Sequence, residues 1–137
     1  MTSNDTRPAT RPATLLCVED EPDIRDAIVE ELVDCGFQVI EAGNGALGLQ
    51  AVLDHRPDLV VCDCLMPVMS GIELLQTLRR EHPDYDDVPF IFLSAHANES
   101  DVERGKQSGA AHYLTKPIDL DLLVETVTRT LEAKGKG

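Results

Sequence analysis

The sequence is poor in aromatic residues and in positive charge. Aromatic side chains make up 4% of the 137 residues and tryptophan is absent, so the core must be built from leucine, valine, isoleucine and alanine. The formal net charge is −13, which argues against direct binding to nucleic acid phosphates or to anionic membranes. This balance leaves two roles for the acids: a surface that meets a basic partner, or a site that holds a cation.

Long apolar segments and targeting signals are also missing. No stretch approaches the roughly 18 consecutive apolar residues of a membrane span. The start, MTSNDTRPATRPAT, lacks the apolar region of a signal peptide. These absences predict a cytoplasmic protein with no membrane partner, in which the four cysteines are reduced. Their spacing matches no structural zinc site.

The length suits one domain, and both ends have the composition of flexible tails. Residues 1–13 are rich in threonine, proline and arginine, and residues 134–137 read KGKG. Such segments bury too little apolar surface to offset the entropy of ordering them. The sequence therefore predicts one folded domain over residues 14–133.

Within that domain, short apolar runs alternate with amphipathic segments, a pattern typical of strands alternating with helices. The predicted strands lie at 14–18, 37–42, 57–63, 88–95 and 111–117. The predicted helices lie at 21–36, 45–55, 70–82, 99–109 and 119–133. Five repeats with short connections predict a parallel, doubly wound α/β sheet with helices on both faces.

Polar side chains follow four of the five predicted strands. Glu19 and Asp20 follow the first, Asp63 ends the third, Ser94 ends the fourth and Lys116 follows the apolar run of the fifth. In doubly wound sheets the ligand site lies outside the carboxyl ends of the strands. We therefore expect these side chains to meet at one edge.

The stretch LVVCDCLMP allows two interpretations. Cys62 and Cys64 could be metal-binding or redox thiols, or Asp63 could be the reactive group. Three carboxylates close together are costly without a cation, and oxygen ligands suit Mg²⁺. With Lys116 and Ser94 they would cradle a phosphoryl group, and aspartate is a known covalent phosphoryl acceptor. These points favour Asp63 as the nucleophile.

Four motifs carry a resemblance to a known family: LLCVEDEPDIR, DLVVCDCLMPVMSGIEL, PFIFLSA and GAAHYLTKPID. In this order they resemble the receiver domain of two-component response regulators, the family of the single-domain chemotaxis regulator. The resemblance covers residues 14–133. It implies a flavodoxin-like fold with five strands in the order 2-1-3-4-5 and five helices.

The resemblance also implies roles for individual residues. Glu19, Asp20, Asp63 and the backbone carbonyl of Leu65 would hold Mg²⁺ or Mn²⁺, and Asp63 would be phosphorylated. Glu19 stands where the family more often has aspartate, and Leu65 and His96 occupy variable positions that tune how fast the phosphoryl group is lost.

Further roles are implied on the fourth and fifth strands. Ser94 would turn toward the phosphoryl group, Lys116 would pair with it, and a cis bond before Pro117 would aim that lysine. Tyr113 would be the aromatic switch that changes rotamer on activation.

These roles predict a signalling protein rather than an enzyme acting on other molecules. A histidine kinase or phosphotransfer protein would phosphorylate Asp63, and the receiver would catalyse its own phosphorylation and dephosphorylation. The readout would be the face formed by the helix at 99–109, the fifth strand and the last helix. Since no output domain follows, we expect a stand-alone receiver with an unknown protein target.

Two alternatives belong to other classes. A small Mg²⁺-dependent phosphohydrolase with an aspartate nucleophile usually carries a second aspartate two residues later, where this chain has Leu65. A flavin or nucleotide carrier needs a phosphate loop rich in glycine, serine or threonine after the first strand, where this chain has EDEPD.

Overall fold

The computed structural model describes residues 12–64, 66, 68–94, 107 and 109–136. Strands and helices alternate up to the fourth strand, as the sequence predicts, and most of the segment between the fourth and fifth strands lies outside these ranges. The strands are β1 (Thr14–Val18), β2 (Gln38–Ala42), β3 (Leu59–Asp63), β4 (Phe90–Ser94) and β5 (His112–Thr115). The helices are α1 (Pro22–Asp34), α2 (Gly45–His55), α3 (Gly71–Glu81) and α4 (Leu120–Lys136), with a short 3₁₀ helix at Pro83–Tyr85.

The five strands form one parallel sheet in the order β2-β1-β3-β4-β5, which confirms the predicted class and strand order. The strand order reverses beside β1, where β1 pairs with both β2 and β3. The carboxyl ends of β1 and β3 therefore lie together at the point where such sheets bind ligands.

Both faces of the sheet are covered. Along β1, Leu16 and Val18 pack into one core cluster while Leu15 and Cys17 pack into the other, as strand alternation requires. Every residue of β3 and β4 is buried. The continuous apolar runs thus mark central strands between two helical layers.

Local signals set the helix boundaries. Pro22 opens α1, where a missing N–H costs nothing. The Asn44 side chain accepts a hydrogen bond from the Leu47 N–H and caps α2. Ser70 and Glu73 form a reciprocal capping box at the start of α3. This last cap fixes the direction of the chain leaving the Asp63 loop.

Three details differ from the sequence predictions. The described residues contain four α-helices rather than five, and the helix predicted at 99–109 lies outside them except for Gln107 and Gly109. Helix α4 extends three residues past its predicted end at 133, where the Lys134 ammonium donates to the Asp58 carbonyl at 3.0 Å. Val33, whose helical spacing from Ile24, Ile28 and Leu32 predicts a place on the buried face of α1, is exposed.

Among the described helices, none combines the length and apolar character needed to cross a bilayer.

Candidate functional site

We call the side of the sheet where the carboxyl ends of the parallel strands lie its carboxyl edge. This edge brings the predicted acids together. Glu19 directly follows β1 and is completely buried, Asp63 ends β3 and is 6% exposed, and Asp20 is exposed. One carboxylate oxygen from each of the three lies within 4.8 Å of the others. Because like charges at this distance repel, the cluster favours a bound cation.

Lys116 supplies positive charge to this cluster. Its Nζ lies 2.9 Å from Glu19 Oε1 and 3.1 Å from Asp63 Oδ2, with 16% of the lysine side chain exposed. Burial lowers the pKa of the ammonium, but its contacts with Glu19 and Asp63 outweigh that effect, so the pKa lies above its usual 10.5. The lysine therefore stays charged at neutral pH and bridges two strands. The Lys116–Pro117 bond is cis, as the resemblance implied.

The buried carboxylate of Glu19 is held by one hydrogen bond and one ion pair. Oε2 accepts a hydrogen bond from the Glu21 N–H at 3.2 Å. Oε1 receives no hydrogen bond among the described residues; its short contact with Lys116 is an ion pair that lacks hydrogen-bond geometry. Burial raises the pKa of Glu19 and the Asp63 charge adds to this, while Lys116 and the Glu21 N–H oppose it.

These features fit a hard divalent cation. The donors are carboxylate oxygens, which Mg²⁺ and Mn²⁺ prefer, and among the described residues the buried Glu19 Oε1 is balanced only by its ion pair with Lys116. Glu19, Asp20 and Asp63 could each offer one ligand atom. Leu65, whose carbonyl was the fourth expected ligand, lies outside the described residues, as do Pro67 and His96.

A close approach of α3 positions the backbone of Asp63. A Cβ atom on Gly71 would lie only 2.2 Å from the Asp63 carbonyl oxygen, so no other residue fits there without displacement. The Gly71 N–H donates to the Cys64 carbonyl, and the Cys64 N–H donates to the Leu93 carbonyl. Asp63 is thus set between β4 and the start of α3.

Ser94 and Tyr113 lie on the neighbouring strands. Ser94 is buried at the end of β4, one residue beyond Leu93, which pairs with Asp63. Its carbonyl accepts a hydrogen bond from the Lys116 N–H at 2.7 Å. Tyr113 lies on β5 opposite Phe92 and is partly buried against the core. Both residues are therefore on the strands that lead to the acid cluster.

The cysteines beside Asp63 are packing residues. Cys62 and Cys64 are buried, and the Cys62 Sγ donates to the Asp63 carbonyl at 3.3 Å. Burial raises the pKa of Cys62 well above its usual value and that of Cys17 to about 12. Thiols this far from ionising are poor nucleophiles and metal ligands. The metal or redox interpretation is therefore disfavoured for Cys62, and Cys64 is buried in the same core cluster.

Sequence reasoning missed Arg25. This α1 residue donates from Nη1 to the Glu19 carbonyl at 2.7 Å and from Nε to Glu41 at 3.3 Å. The available signal was a lone basic residue in the acidic segment EDEPDIRD. Its partners could not be read from spacing, because they depend on how α1 packs against β1 and β2.

Comparisons of sequence agree with this geometry. Residues 15–128 match the response regulator receiver domain family. The phosphate regulon transcriptional regulatory protein PhoB of Pseudomonas aeruginosa is 36% identical over 124 residues, which cover 90% of this chain and 54% of PhoB. The transcriptional regulatory protein KdpE of Mycobacterium tuberculosis is 40% identical over 107 residues, which cover 78% of this chain and 46% of KdpE. The chain spans about half the length of these relatives.

Solved structures lead to the same family. The chemotaxis protein CheY4 of Vibrio cholerae superposes with a TM-score of 0.81 at 30% identity, covering 87% of this chain and 98% of CheY4. A putative response regulator from Chloroflexus aurantiacus superposes with a TM-score of 0.84 at 32% identity, covering 89% and 99% of the two chains. The chain belongs to the response regulator receiver domain family.

Proposed function

We propose that this receiver accepts a phosphoryl group on Asp63 from the phosphohistidine of a histidine kinase or phosphotransfer protein. The observation that carries the proposal is the contact of Asp63 with Lys116 inside a cluster of three carboxylates. Family membership supplies the class of donor, and the buried, charge-rich edge supplies the acceptor. We place this event in the cytoplasm, where kinases of this class act on their receivers.

In the proposed reaction an Asp63 oxygen attacks the phosphorus atom. The P–N bond to the donor histidine breaks, and the imidazole leaves and takes up a proton from solvent. A divalent cation held by Glu19, Asp20 and Asp63 would offset the negative charge of the phosphoryl oxygens. Lys116 already lies 3.1 Å from Asp63 Oδ2, so its charge needs little rearrangement to stabilise the transition state.

The same residues suggest how the signal leaves the site. Ser94 would donate its hydroxyl to the new phosphoryl oxygens, and movement at the end of β4 would change the packing of Tyr113 on β5. Such a switch is a shift between two packings biased by new charge. The surface that reports it would be β5 and α4, together with residues 99–109, of which only Gln107 and Gly109 lie within the described ranges.

The downstream target that we propose is a protein, and its identity is unknown. PhoB and KdpE are named transcriptional regulatory proteins, and this chain spans about half of each. The net charge of −13 makes direct contact between this domain and nucleic acid unfavourable. We therefore propose that the receiver domain acts through protein contact. No observation favours the phosphohydrolase or flavin-carrier alternatives.

The acceptor is tested with acetyl phosphate and Mg²⁺. Intact mass should show one added phosphoryl group on the wild type and none on Asp63→Asn. Asp58→Asn is the matched control, because Asp58 lies at the opposite end of β3 and accepts a hydrogen bond from the Thr14 N–H at 2.8 Å. The control should be modified like the wild type. Equal uptake by Asp63→Asn would show that the acceptor is another residue.

The switch is tested with the two tyrosines of the chain. Tyr85 lies in the 3₁₀ helix before β4, away from the carboxyl ends of the strands. The Arg56 guanidinium packs 4.3 Å from its ring, so Tyr85 serves as an internal control. In a tyrosine-labelled sample, NMR should show that Mg²⁺ with beryllium fluoride, a phosphoryl mimic, shifts the Tyr113 signal and leaves the Tyr85 signal in place. A mimic that binds without moving the Tyr113 signal would contradict the switch.

A further inference from the structure

The acidic turn between β1 and α1 is held by one arginine side chain. Arg25 donates from Nη1 to the Glu19 carbonyl at 2.7 Å, which is a short charge-assisted bond. On the other side of the same peptide segment, the Glu19 N–H donates to the Ala42 carbonyl at 3.1 Å. Glu19 is therefore fixed through its backbone from two directions.

Arg25 is itself held by its surroundings. Its Nε lies 3.3 Å from Glu41 Oε1, and only 21% of its side chain is exposed. Its backbone N–H donates to the Glu21 carbonyl at 2.9 Å, which closes the first turn of α1. A side chain with this many fixed contacts can keep its hydrogen-bond partner in one orientation.

The orientation of the Glu19 carbonyl affects the geometry of the acid cluster. It belongs to the peptide group that links Glu19 to Asp20, so its orientation decides where both carboxylates point. The turn carries Glu19, Asp20 and Glu21 in succession, and two of these acids lie within 4.8 Å of Asp63. Mutual repulsion would spread this turn, and the bond from Arg25 opposes that movement.

We propose that Arg25 is a positioning residue for divalent cation binding: it fixes the Glu19–Asp20 peptide so that the acids are presented to the metal together. This inference rests on the proposed function of the site. Residues that orient metal ligands typically change metal affinity by about 10- to 100-fold when they are removed. The side chain of Arg25 contacts the Glu19 carbonyl and Glu41, so the role assigned to it is positioning and not the transfer itself.

The test measures Mg²⁺ affinity by titration calorimetry on the unphosphorylated chain. Arg25→Ala should raise the dissociation constant for Mg²⁺ about tenfold. Arg129→Ala is the matched control: it removes the same charge at an exposed pair with Glu125, 2.6 Å apart, on α4. The control should bind Mg²⁺ like the wild type. If Arg25→Ala binds like the control, the proposal is overturned.

A second readout separates positioning from a merely structural role. For Arg25→Ala, the Mg²⁺ concentration that half-saturates phosphoryl uptake from acetyl phosphate should rise, while the rate at saturating Mg²⁺ stays near that of the wild type. A structural brace would instead lower the melting temperature and leave the half-saturating concentration unchanged. If the alanine variant does not fold, Arg25→Lys decides, because one ammonium cannot reproduce both guanidinium contacts. An Arg25→Lys variant with wild-type affinity would then overturn the proposal.

The outcomes also separate this inference from the function on which it rests. A wild type that binds Mg²⁺ and is phosphorylated, together with an Arg25→Ala variant of unchanged affinity, contradicts the positioning role alone. A wild type that binds Mg²⁺ but takes up no phosphoryl group contradicts the proposed function, and the affinity comparison still decides the role of Arg25. A wild type that binds no Mg²⁺ contradicts the positioning role outright.

Discussion

Charged side chains make different contacts at the carboxyl edge of the sheet, where the parallel strands end, and at the amino edge, where they begin. At the carboxyl edge, Lys116 contacts the carboxylates of Glu19 and Asp63, so ionised side chains meet one another. At the amino edge, charged side chains bond to backbone. Arg79 donates to the carbonyls of Tyr85 and Val88, and Lys134 donates to the carbonyl of Asp58.

The difference separates stability from function within one sheet. A backbone carbonyl that accepts from arginine or lysine gains a hydrogen bond without needing a second buried charge. The carboxyl edge instead concentrates three acids around one lysine, an arrangement that is costly without a cation. The acids thus depend on Lys116 for their stability in the fold and remain able to bind a cation.

Gly71→Ala should give the largest change at the carboxyl edge. The new Cβ would lie 2.2 Å from the Asp63 carbonyl oxygen, so α3 or the end of β3 must move, and unfolding should become easier by about 3 kcal/mol or more. Phosphoryl uptake should fall with it. Urea unfolding and acetyl phosphate labelling measure the two effects.

Gly36→Ala is the control for Gly71. Gly36 has a φ of +99° but open space around it, so alanine should cost only about 1 kcal/mol of backbone strain and leave uptake intact. Equal losses of stability in the two variants would mean that the close approach at Asp63 is unimportant.

Lys116→Met should destabilise the protein by about 2 kcal/mol at pH 7. Losing one partner of a fully buried pair costs about 3 to 5 kcal/mol, and the loss is smaller here because the lysine is 16% exposed. Lys134→Met at the amino edge should cost about 1 kcal/mol. Denaturant melts of both variants compare the edges directly, and a larger loss for Lys134→Met would reverse the comparison.

The difference in stability between the wild type and Lys116→Met also depends on pH in a defined way. The pKa of this ammonium is raised above 10.5 in the folded protein, so its stabilisation is fully present below pH 10.5 and is lost as the pH rises through the folded pKa. The stability gap between the wild type and Lys116→Met should therefore be flat at neutral pH and narrow at strongly alkaline pH. A gap that widens there would contradict this assignment.

Val68→Gly should stabilise the carboxyl edge slightly. Val68 has a φ of +75° and is 81% exposed in the loop after β3. A β-branched residue in this region is strained by roughly 1 to 3 kcal/mol, and glycine removes the strain while adding entropy to the unfolded chain. A net gain of about 1 kcal/mol in the free energy of unfolding is expected. A loss of stability would mean that the valine side chain makes contacts that matter.

Thiol labelling should distinguish the cysteines without changing the fold. Cys35 is exposed at the end of α1, whereas Cys17, Cys62 and Cys64 are buried. Because burial raises the pKa of Cys17 to about 12 and that of Cys62 well above its usual value, a thiol reagent at pH 8 should modify one cysteine in the native protein and four in denaturant. Rapid reaction of Cys62 or Cys64 in the native state would revive a redox role beside Asp63.

The sequence predicted the carboxyl edge well because strand ends are local signals. Each apolar run stops at a polar residue, and parallel strands bring those ends to one side of the sheet. Glu19, Asp20, Asp63 and Lys116 therefore meet as expected. Burial of all five residues of β3 likewise followed from its continuous apolar run.

Features set by packing between distant segments were harder to predict. The contact of Arg25 with the Glu19 carbonyl depends on the rotation of α1 about its axis. That rotation also leaves Val33 exposed, although its spacing suggested the buried face. The extension of α4 to Lys136 is accompanied by a bond to Asp58, 76 positions earlier in the chain. Periodicity within one helix carries no information about such partners.

The most direct test of the account locates the phosphoryl group after reaction with acetyl phosphate and Mg²⁺. Borohydride reduces an acyl phosphate to an alcohol, so the acceptor aspartate becomes homoserine and stays marked through proteolysis. Peptide mass spectrometry should find homoserine at position 63 and only when Mg²⁺ is present. Homoserine at position 20, or no reduction product in a sample that binds Mg²⁺, would contradict the claim that the carboxyl edge is a phosphoryl-accepting site centred on Asp63.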